Sequence, residues 1–309
     1  MSRPRSPVAD YLIYLAVRLF VCLIQALPLS AGYRLARLVA WLAYHFDRRH
    51  RLVALDNLRH AFPELPTEAE HDRLVRGVYR HFCTMIVEIA HLPRKLHTPN
   101  WRRYVDVPNA RALVDCLTSG RPLLLVTGHF GNWELASFVL GLLGFASYAI
   151  ARPLDNPHLE RFLHRFREKT GQTILAKKGD FDDMQAVLAG GGVLAMLADQ
   201  DAGSRGQFVE FFGRPASTHK AVALLALEYQ VPVLVAGMAR LGAPLRHRLL
   251  SGELILPEEF AGRPDAAKAL TQRFSAALEQ IVRTAPEQYL WLHRRWKHQP
   301  GKRKRKRAA

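Results

Sequence analysis

The chain has 309 residues, 49% of them apolar, enough for one large domain or two small ones with a sizeable buried core. A formal net charge of +17 implies an anionic partner (nucleic acid, anionic lipid or an acidic protein) or a strongly basic solvated surface. Cys22, Cys83 and Cys116 are far apart and odd in number, which argues against a disulfide framework or a zinc site and for a reducing compartment.

Residues 11–29, YLIYLAVRLFVCLIQALPL, are strongly apolar and close to the roughly 20 residues a membrane-spanning helix needs, with Arg18 and Gln25 as interruptions. No small-residue cleavage site follows, which disfavours a removed signal peptide. The segment 31–46, AGYRLARLVAWLAYHF, has arginines at helical spacing and reads as an amphipathic helix on a membrane or on the core. Spanning, lying in the interface and burial all remain open for the first segment. If it spans, Arg34, Arg37, Arg48, Arg49 and Arg51 behind it put the bulk of the chain on the cytoplasmic side. Residues 47–95 read as helical.

From about residue 105 short β-rich runs alternate with helical ones. Strands are expected at 122–127, 147–151, 172–176, 192–199 and 231–240, and an additional, antiparallel strand at 246–256. Helices are expected near 132–143, 157–169, 181–190 and 219–229, with a closing helix at 264–284. Strands apolar on both faces and separated by helices indicate an α/β fold, a mostly parallel sheet flanked by helices. The expected organisation is an anchor over 1–30, a helical part over 31–104, an α/β domain over 105–300 and a basic disordered tail over 301–309. The run KRKRKR at 302–307 suits an anionic leaflet or, alternatively, nucleic acid; the apolar anchor favours the membrane.

Functional groups in such sheets gather where strands end. Strand 122–127 runs into GHFGNWEL, and strand 192–199 runs into Asp199-Gln200-Asp201. His129 and Glu134 would point about 140° apart on one continuous helix. They meet only if His129 lies in a loop and Glu134 in the first helical turn, and Gly128, Gly131 and Asn132 supply that arrangement. A neutral imidazole serves as a base near pH 7, and a carboxylate on its other nitrogen fixes the tautomer. No serine or cysteine nucleophile stands beside it, so direct attack by an acceptor hydroxyl is the simpler route. Against this, Glu134 also suits a helix N-terminus and His129 an ordinary, partly buried site.

GHFGNWE resembles the histidine-x4-acid motif of the glycerolipid acyltransferases. More narrowly, the chain resembles the late (secondary) acyltransferases of lipid A biosynthesis. The supporting blocks, in order, are the apolar N-terminus, Asn57-Leu58 with Ala61-Phe62-Pro63-Glu64, TGHFGNWEL, Arg152-Pro153 with Asn156, ADQD at 198–201, FFGRPAST at 211–218 and WLHRRWK at 291–297. The glycerol-phosphate branch usually has aspartate where this chain has Glu134, followed by a Glu-Gly-Thr-Arg-like block absent here. The similar mannoside acyltransferases tend to aspartate there too.

The resemblance implies acyl transfer from an acyl carrier protein thioester to a hydroxyl of a glycolipid acceptor at the cytoplasmic side of the inner membrane. No metal or cofactor and no nucleic acid take part. It makes His129 the base and Glu134 its orienting acid. The family's functional arginine falls on Arg167, fifteen residues after Arg152, and its functional aspartate on Asp199. Arg167 is expected to stabilise an oxyanion or grip a phosphate, and Asp199 to hold that arginine or orient the acceptor. The bland alternatives are a solvated helix charge and a strand-end turn residue. Arg152 and Asn156 line the site or open helix 157–169; Ser217 and Thr218 are expected to cap a helix. WLHRRWK suits the headgroup layer, or a terminal strand with a basic exit. The same chemistry on a mannoside, an ornithine lipid or a pigment, and a non-enzymatic membrane- or nucleic-acid-binding protein, are the competing readings.

Overall fold

The computed structural model describes residues 6–108, 110–151, 153–176 and 181–300; Arg152 and the 302–307 basic run lie outside them. The chain opens with four helices: α1 (Pro7–Ala26), α2 (Leu29–Phe46), α3 (Arg48–Ala61) and α4 (Glu68–Lys95). Pro7 sits at the start of α1, where its missing N–H costs nothing, and Leu27-Pro28 turns the chain into α2. Thr67 and Glu70 form a reciprocal capping box at the start of α4. α2 packs on α4 through Gly32, Ala36, Ala40 and Tyr44, a four-residue repeat of mostly small side chains. A Cβ on Gly32 would lie 2.8 Å from Val87, so glycine sets the closeness of that approach. α1 is long and apolar enough to cross a membrane by length and composition.

The remainder alternates strands and helices: β1 (Val105–Asp106), α5 (Ala110–Thr118), β2 (Leu123–Thr127), α6 (Trp133–Leu142), β3 (Ser147–Ala151), α7 (Pro157–Glu168), β4 (Gln172–Ala176), α8 (Phe181–Ala189), β5 (Val193–Leu197), β6 (Gln207–Phe211), β7 (Arg214–Thr218), α9 (Ala221–Glu228), β8 (Val233–Arg240), β9 (His247–Ile255) and α10 (Ala266–Thr284). Seven strands form one sheet in the order β1-β9-β8-β2-β5-β3-β4. β8, β2, β5, β3 and β4 run parallel, and β9 pairs antiparallel with β8. This is the mostly parallel α/β sheet with flanking helices that the alternating pattern implies, including the antiparallel strand at 246–256. The central strands read as unbroken apolar runs because helices cover both faces: Leu124 and Val126, on the face opposite Leu123, are as buried as it is.

β1, α5 and the β6–β7 hairpin are not anticipated by the pattern. The hairpin turns through Phe212 (φ 51°) and Gly213 (φ 67°), both left-handed, as a two-residue turn matched to strand twist requires. A phenylalanine tolerates that conformation here because its ring is buried against Phe62 and Trp291 and its N–H is bonded to Glu279 Oε2 at 2.6 Å. The hairpin also corrects the reading of Ser217 and Thr218. They end β7 and cap no helix; the Ser217 hydroxyl donates to the Gly203 carbonyl, and α9 begins without a side-chain cap.

WLHRRWK is likewise corrected. Trp291 and Trp296 are buried and pack with Phe62, Phe211 and Phe212, so they do not meet headgroups, and the segment forms no strand. Arg295 is buried over the Phe211 ring, donating to Ser217 O (2.5 Å) and Thr218 Oγ1 (2.6 Å).

Candidate active site

The register of two strands builds the site. Thr127, the last residue of β2, pairs with Leu197, the last of β5. His129 and Asp199, each two residues further on, therefore leave the same edge of the sheet side by side. Asp199 is 4% exposed and accepts twice from one residue: from His129 Nδ1 at its Oδ1 and from the His129 backbone N–H at its Oδ2, both at 2.8 Å. Gly128 permits this approach, since a Cβ there would lie 3.2 Å from the Asp199 carboxyl carbon.

The loop is fixed on every side. Gly131 has φ +58°, and a Cβ on it would fall 1.9 Å from the Met238 carbonyl. Its N–H donates to Gln288 O (2.9 Å), Asn132 N–H to Met238 O (2.8 Å), and Leu290 N–H to His129 O (3.1 Å). The Asn132 side chain caps α6 through Leu135 N–H (3.0 Å) and donates to Glu88 (3.2 Å). Glu88 is fully buried beneath the loop, bound by Arg240 through Nε (2.6 Å) and Nη2 (2.7 Å) and by the Tyr33 hydroxyl (2.6 Å). His81 accepts from Arg240 at Nδ1 (2.7 Å) and so donates from Nε2 to the Gly131 carbonyl (3.1 Å). Burial and the adjacent guanidinium push the His81 pKa down to about 3, so this histidine is neutral.

Glu134 is not the partner of the imidazole. It accepts a two-pronged pair from Arg167, Nε to Oε2 at 3.0 Å and Nη2 to Oε1 at 2.5 Å, and both side chains are largely buried. The expected pairing is thus exchanged: Asp199 holds His129, and Glu134 holds Arg167. His129 does lie in the loop and Glu134 in the first turn of α6, but Asp199 at the end of β5 occupies His129 Nδ1, and Glu134 is turned toward α7 and Arg167. Asn156 opens α7, capping His158 and Leu159 N–H, and its amide donates to Asp10 O (2.8 Å).

Charge follows from these contacts. Burial disfavours the His129 imidazolium, but Asp199 and, further off, Glu134 outweigh it and raise the His129 pKa above the ordinary imidazole range. Burial would also raise Asp199; the His129 contacts and charge, with Arg295 behind, outweigh that and hold it below the usual carboxylate range. An ionised Asp199 only accepts, so Nδ1 carries the proton and Nε2 holds the lone pair in the neutral ring. Among the described residues Nε2 has no hydrogen-bond partner.

A largely apolar cavity of about 500 Å³ adjoins this constellation. Trp133, Glu134 and Arg167 line it, and the Trp133 ring stands edge-on to His129 with centroids 5.1 Å apart. Its walls come from the sheet and α6, among them Leu125, Ala136, Val139, Ala195, Leu234 and Met238. Sequence reasoning missed Trp133, although it lies inside the histidine-x4-acid motif, and missed Glu88 and Arg295, which leave no local signal.

A carboxylate-held histidine at the C-terminal edge of a parallel sheet, near a largely apolar cavity, is set in an α/β fold, and the class of protein is an acyltransferase. The chain belongs to the bacterial lipid A biosynthesis acyltransferase family, whose model matches residues 3–298. It is 28% identical over 282 residues to a lipid A biosynthesis lauroyltransferase of Escherichia coli K12, covering 90% of this chain and 89% of that protein. A lipid A biosynthesis palmitoleoyltransferase of the same strain is 25% identical, over 84% of this chain and 82% of its own. A lipid A biosynthesis acyltransferase of Haemophilus influenzae is 26% identical, with the same coverage.

Proposed function

We propose that the chain transfers a fatty acyl group from an acyl carrier protein thioester to a hydroxyl of a lipid A precursor, at the cytoplasmic face of the inner membrane, with His129 as general base. The observation that carries the reading is the His129–Asp199 pair, with Nε2 bare, against Trp133, which lines the apolar cavity together with Glu134 and Arg167.

In this mechanism the acyl chain enters the cavity and its thioester carbonyl rests near His129. The acceptor hydroxyl attacks the carbonyl carbon while Nε2 takes its proton. Asp199 stabilises the imidazolium that forms. Arg167 faces the negative charge that develops on the former carbonyl oxygen; Glu134 engages its Nε and Nη2 and leaves Nη1 for that purpose. The C–S bond then breaks, and the departing thiolate takes the proton from His129. The products are an ester and a free thiol. The net charge of +17 suits both an acidic carrier protein and a phosphorylated acceptor.

The test is incubation of the purified protein with acyl carrier protein thioesters and a Kdo-bearing tetraacyl lipid A precursor, read by lipid mass, beside His129→Ala. One added acyl mass, lost in His129→Ala, is the expected result. No added mass, with an active control enzyme on the same lipid, removes the lipid A precursor as acceptor. A gain that survives His129→Ala refutes the base assignment.

A further inference from the structure

The polar side chains of α1 gather on the side that meets α7 and α4, with Asp10 buried, Tyr14 and Gln25 half-buried, and Tyr11 and Arg18 exposed at its edge. Asp10 is buried, and its carbonyl accepts from Asn156 of α7 at 2.8 Å. Tyr11 and Tyr14 set their rings against His158, at 5.3 and 5.8 Å between centroids. Arg18, the only charge in the 11–29 run, lays its guanidinium over Phe162, 4.9 Å from the ring centre. Gln25 donates to Ala90 O of α4 at 2.8 Å, and Arg94 donates back to Gln25 O at 3.0 Å. Asp10 to Gln25 is about 22 Å of helix. Its first half is fastened to α7 and its end to α4, both parts of the catalytic body.

α7 cannot follow α1 into hydrocarbon. It carries Glu160, Arg161, His164, Arg165, Arg167 and Glu168, with Lys169 just beyond. A bilayer-crossing α1 would drag that charge into the membrane, or would shed α7, exposing the buried Asp10 to lipid and leaving Arg18 there without its Phe162 contact; both are costly. The opposite side of α1 is apolar without interruption: Val8, Leu12, Leu15, Leu19 and Leu23 are all exposed. α2, which buries its small-residue side on α4, leaves Leu38, Trp41 and Leu42 exposed in turn. Cations flank these surfaces. Among the described residues none of Arg34, Arg37, Arg161, Arg165 and Lys169 is paired with a carboxylate, and the last three line a groove between α1, α4 and α7.

From this arrangement we infer that α1 does not cross the bilayer but lies in its interface, and that α1 and α2 form an in-plane docking face for an anionic phospholipid surface. The exposed leucines enter the acyl boundary, and the flanking cations meet the phosphate layer. The inference rests on the reading of the chain as a membrane enzyme and specifies how it sits there. The active site then opens close to the leaflet that holds an amphiphilic acceptor.

The test uses the full chain in vesicles of phosphatidylethanolamine and phosphatidylglycerol. With Cys83 and Cys116 replaced by serine, and Cys22 as well when it is not itself the labelled site, nitroxide labels go on Val8→Cys, Leu15→Cys or the native Cys22, which share one side of α1 at seven-residue spacing. Equal, shallow depths are expected. A depth that peaks at position 15 and falls at 8 and 22 overturns the inference. In a background without native cysteines, Ser6→Cys and the exposed Ser204→Cys should react with an impermeant maleimide from the same side of the vesicle; labelling from opposite sides overturns it. Arg161→Gln with Arg165→Gln should weaken vesicle binding by about fivefold per charge and leave acyl transfer in detergent unchanged; unchanged binding overturns the role of the flanking cations. Failure to bind vesicles, with acyl transfer intact in detergent, overturns the membrane reading itself and spares the chemistry.

Discussion

Asp199→Asn tests the exchanged pairing directly. Asp199 accepts two hydrogen bonds from His129, one from the backbone N–H and one from Nδ1, each at 2.8 Å. An asparagine of the same shape has one acceptor and one donor end. The backbone N–H has only a proton to offer, so the amide oxygen must face it. The NH2 group then faces Nδ1 and forces that nitrogen to accept. The ring proton moves to Nε2, which then has no lone pair to offer as the proposed base. The analogous tautomer error in serine proteases costs about 10⁴ in kcat, which corresponds to about 5 kcal/mol of transition-state stabilisation at 1.36 kcal/mol per tenfold. A loss of 10³ to 10⁴ in kcat, with little change in KM, is expected here. Glu134→Gln leaves the His129 tautomer untouched and only weakens the grip on Arg167, so its cost is smaller, about 10- to 100-fold, below the loss seen for one oxyanion-hole donor. The assay is steady-state acyl transfer by both variants, with thermal unfolding to confirm that each folds. If Asp199→Asn keeps activity within tenfold of the parent while Glu134→Gln abolishes it, Glu134 is the partner of the imidazole in the working enzyme and the reasoning fails.

The pH profile follows from the raised His129 pKa. In the proposed mechanism the neutral ring is the base, so kcat/KM should climb as pH rises through a value above the ordinary imidazole range and then level off. Removing the carboxylate charge in Asp199→Asn should shift any residual profile to lower pH. Gly131→Ala should lose activity and stability together: the left-handed φ costs about 1–2 kcal/mol, and a Cβ 1.9 Å from the Met238 carbonyl must displace the catalytic loop; a melting temperature and rate equal to the parent's would contradict this. Ala195→Phe fills part of the cavity, and competition between thioesters of different length should show a shift toward shorter chains, at about 0.8 kcal/mol per methylene that no longer finds room; an unchanged preference would place the chain elsewhere. His81 is neutral when folded, with its pKa lowered from 6.5 to about 3. The unfolded chain therefore binds an extra proton between those values, and stability present above pH 6.5 is lost as pH falls through the window, at about 1.4 kcal/mol per pH unit. Denaturant titrations of His81→Asn should show a shallower acid slope by that amount.

The alternation of apolar runs and helical stretches was enough to place the sheet, because a strand covered on both faces must be apolar throughout and a flanking helix must not be. Hence the strands at 147–151 and 172–176 fall where the pattern puts them. The candidate positions His129, Glu134, Arg167 and Asp199 could be singled out from the motif and the resemblance that carries them. Their partners could not. Which carboxylate meets the imidazole depends on the pairing of Thr127 with Leu197, 70 residues apart, and on α6 turning Glu134 toward α7. The tryptophans of WLHRRWK misled for a related reason: amphipathic composition suits an interface and an interior equally, and burial against Phe211, Phe212 and Phe62 is a property of the assembled core. Likewise the 11–29 run reads as a span by length alone, and only its packing on α4 and α7 reveals that Arg18 lies over Phe162 and that Gln25 donates to Ala90. Composition and period determined the elements of this protein. The tertiary structure decided which charges face each other, because that choice is made by contacts between segments distant in sequence.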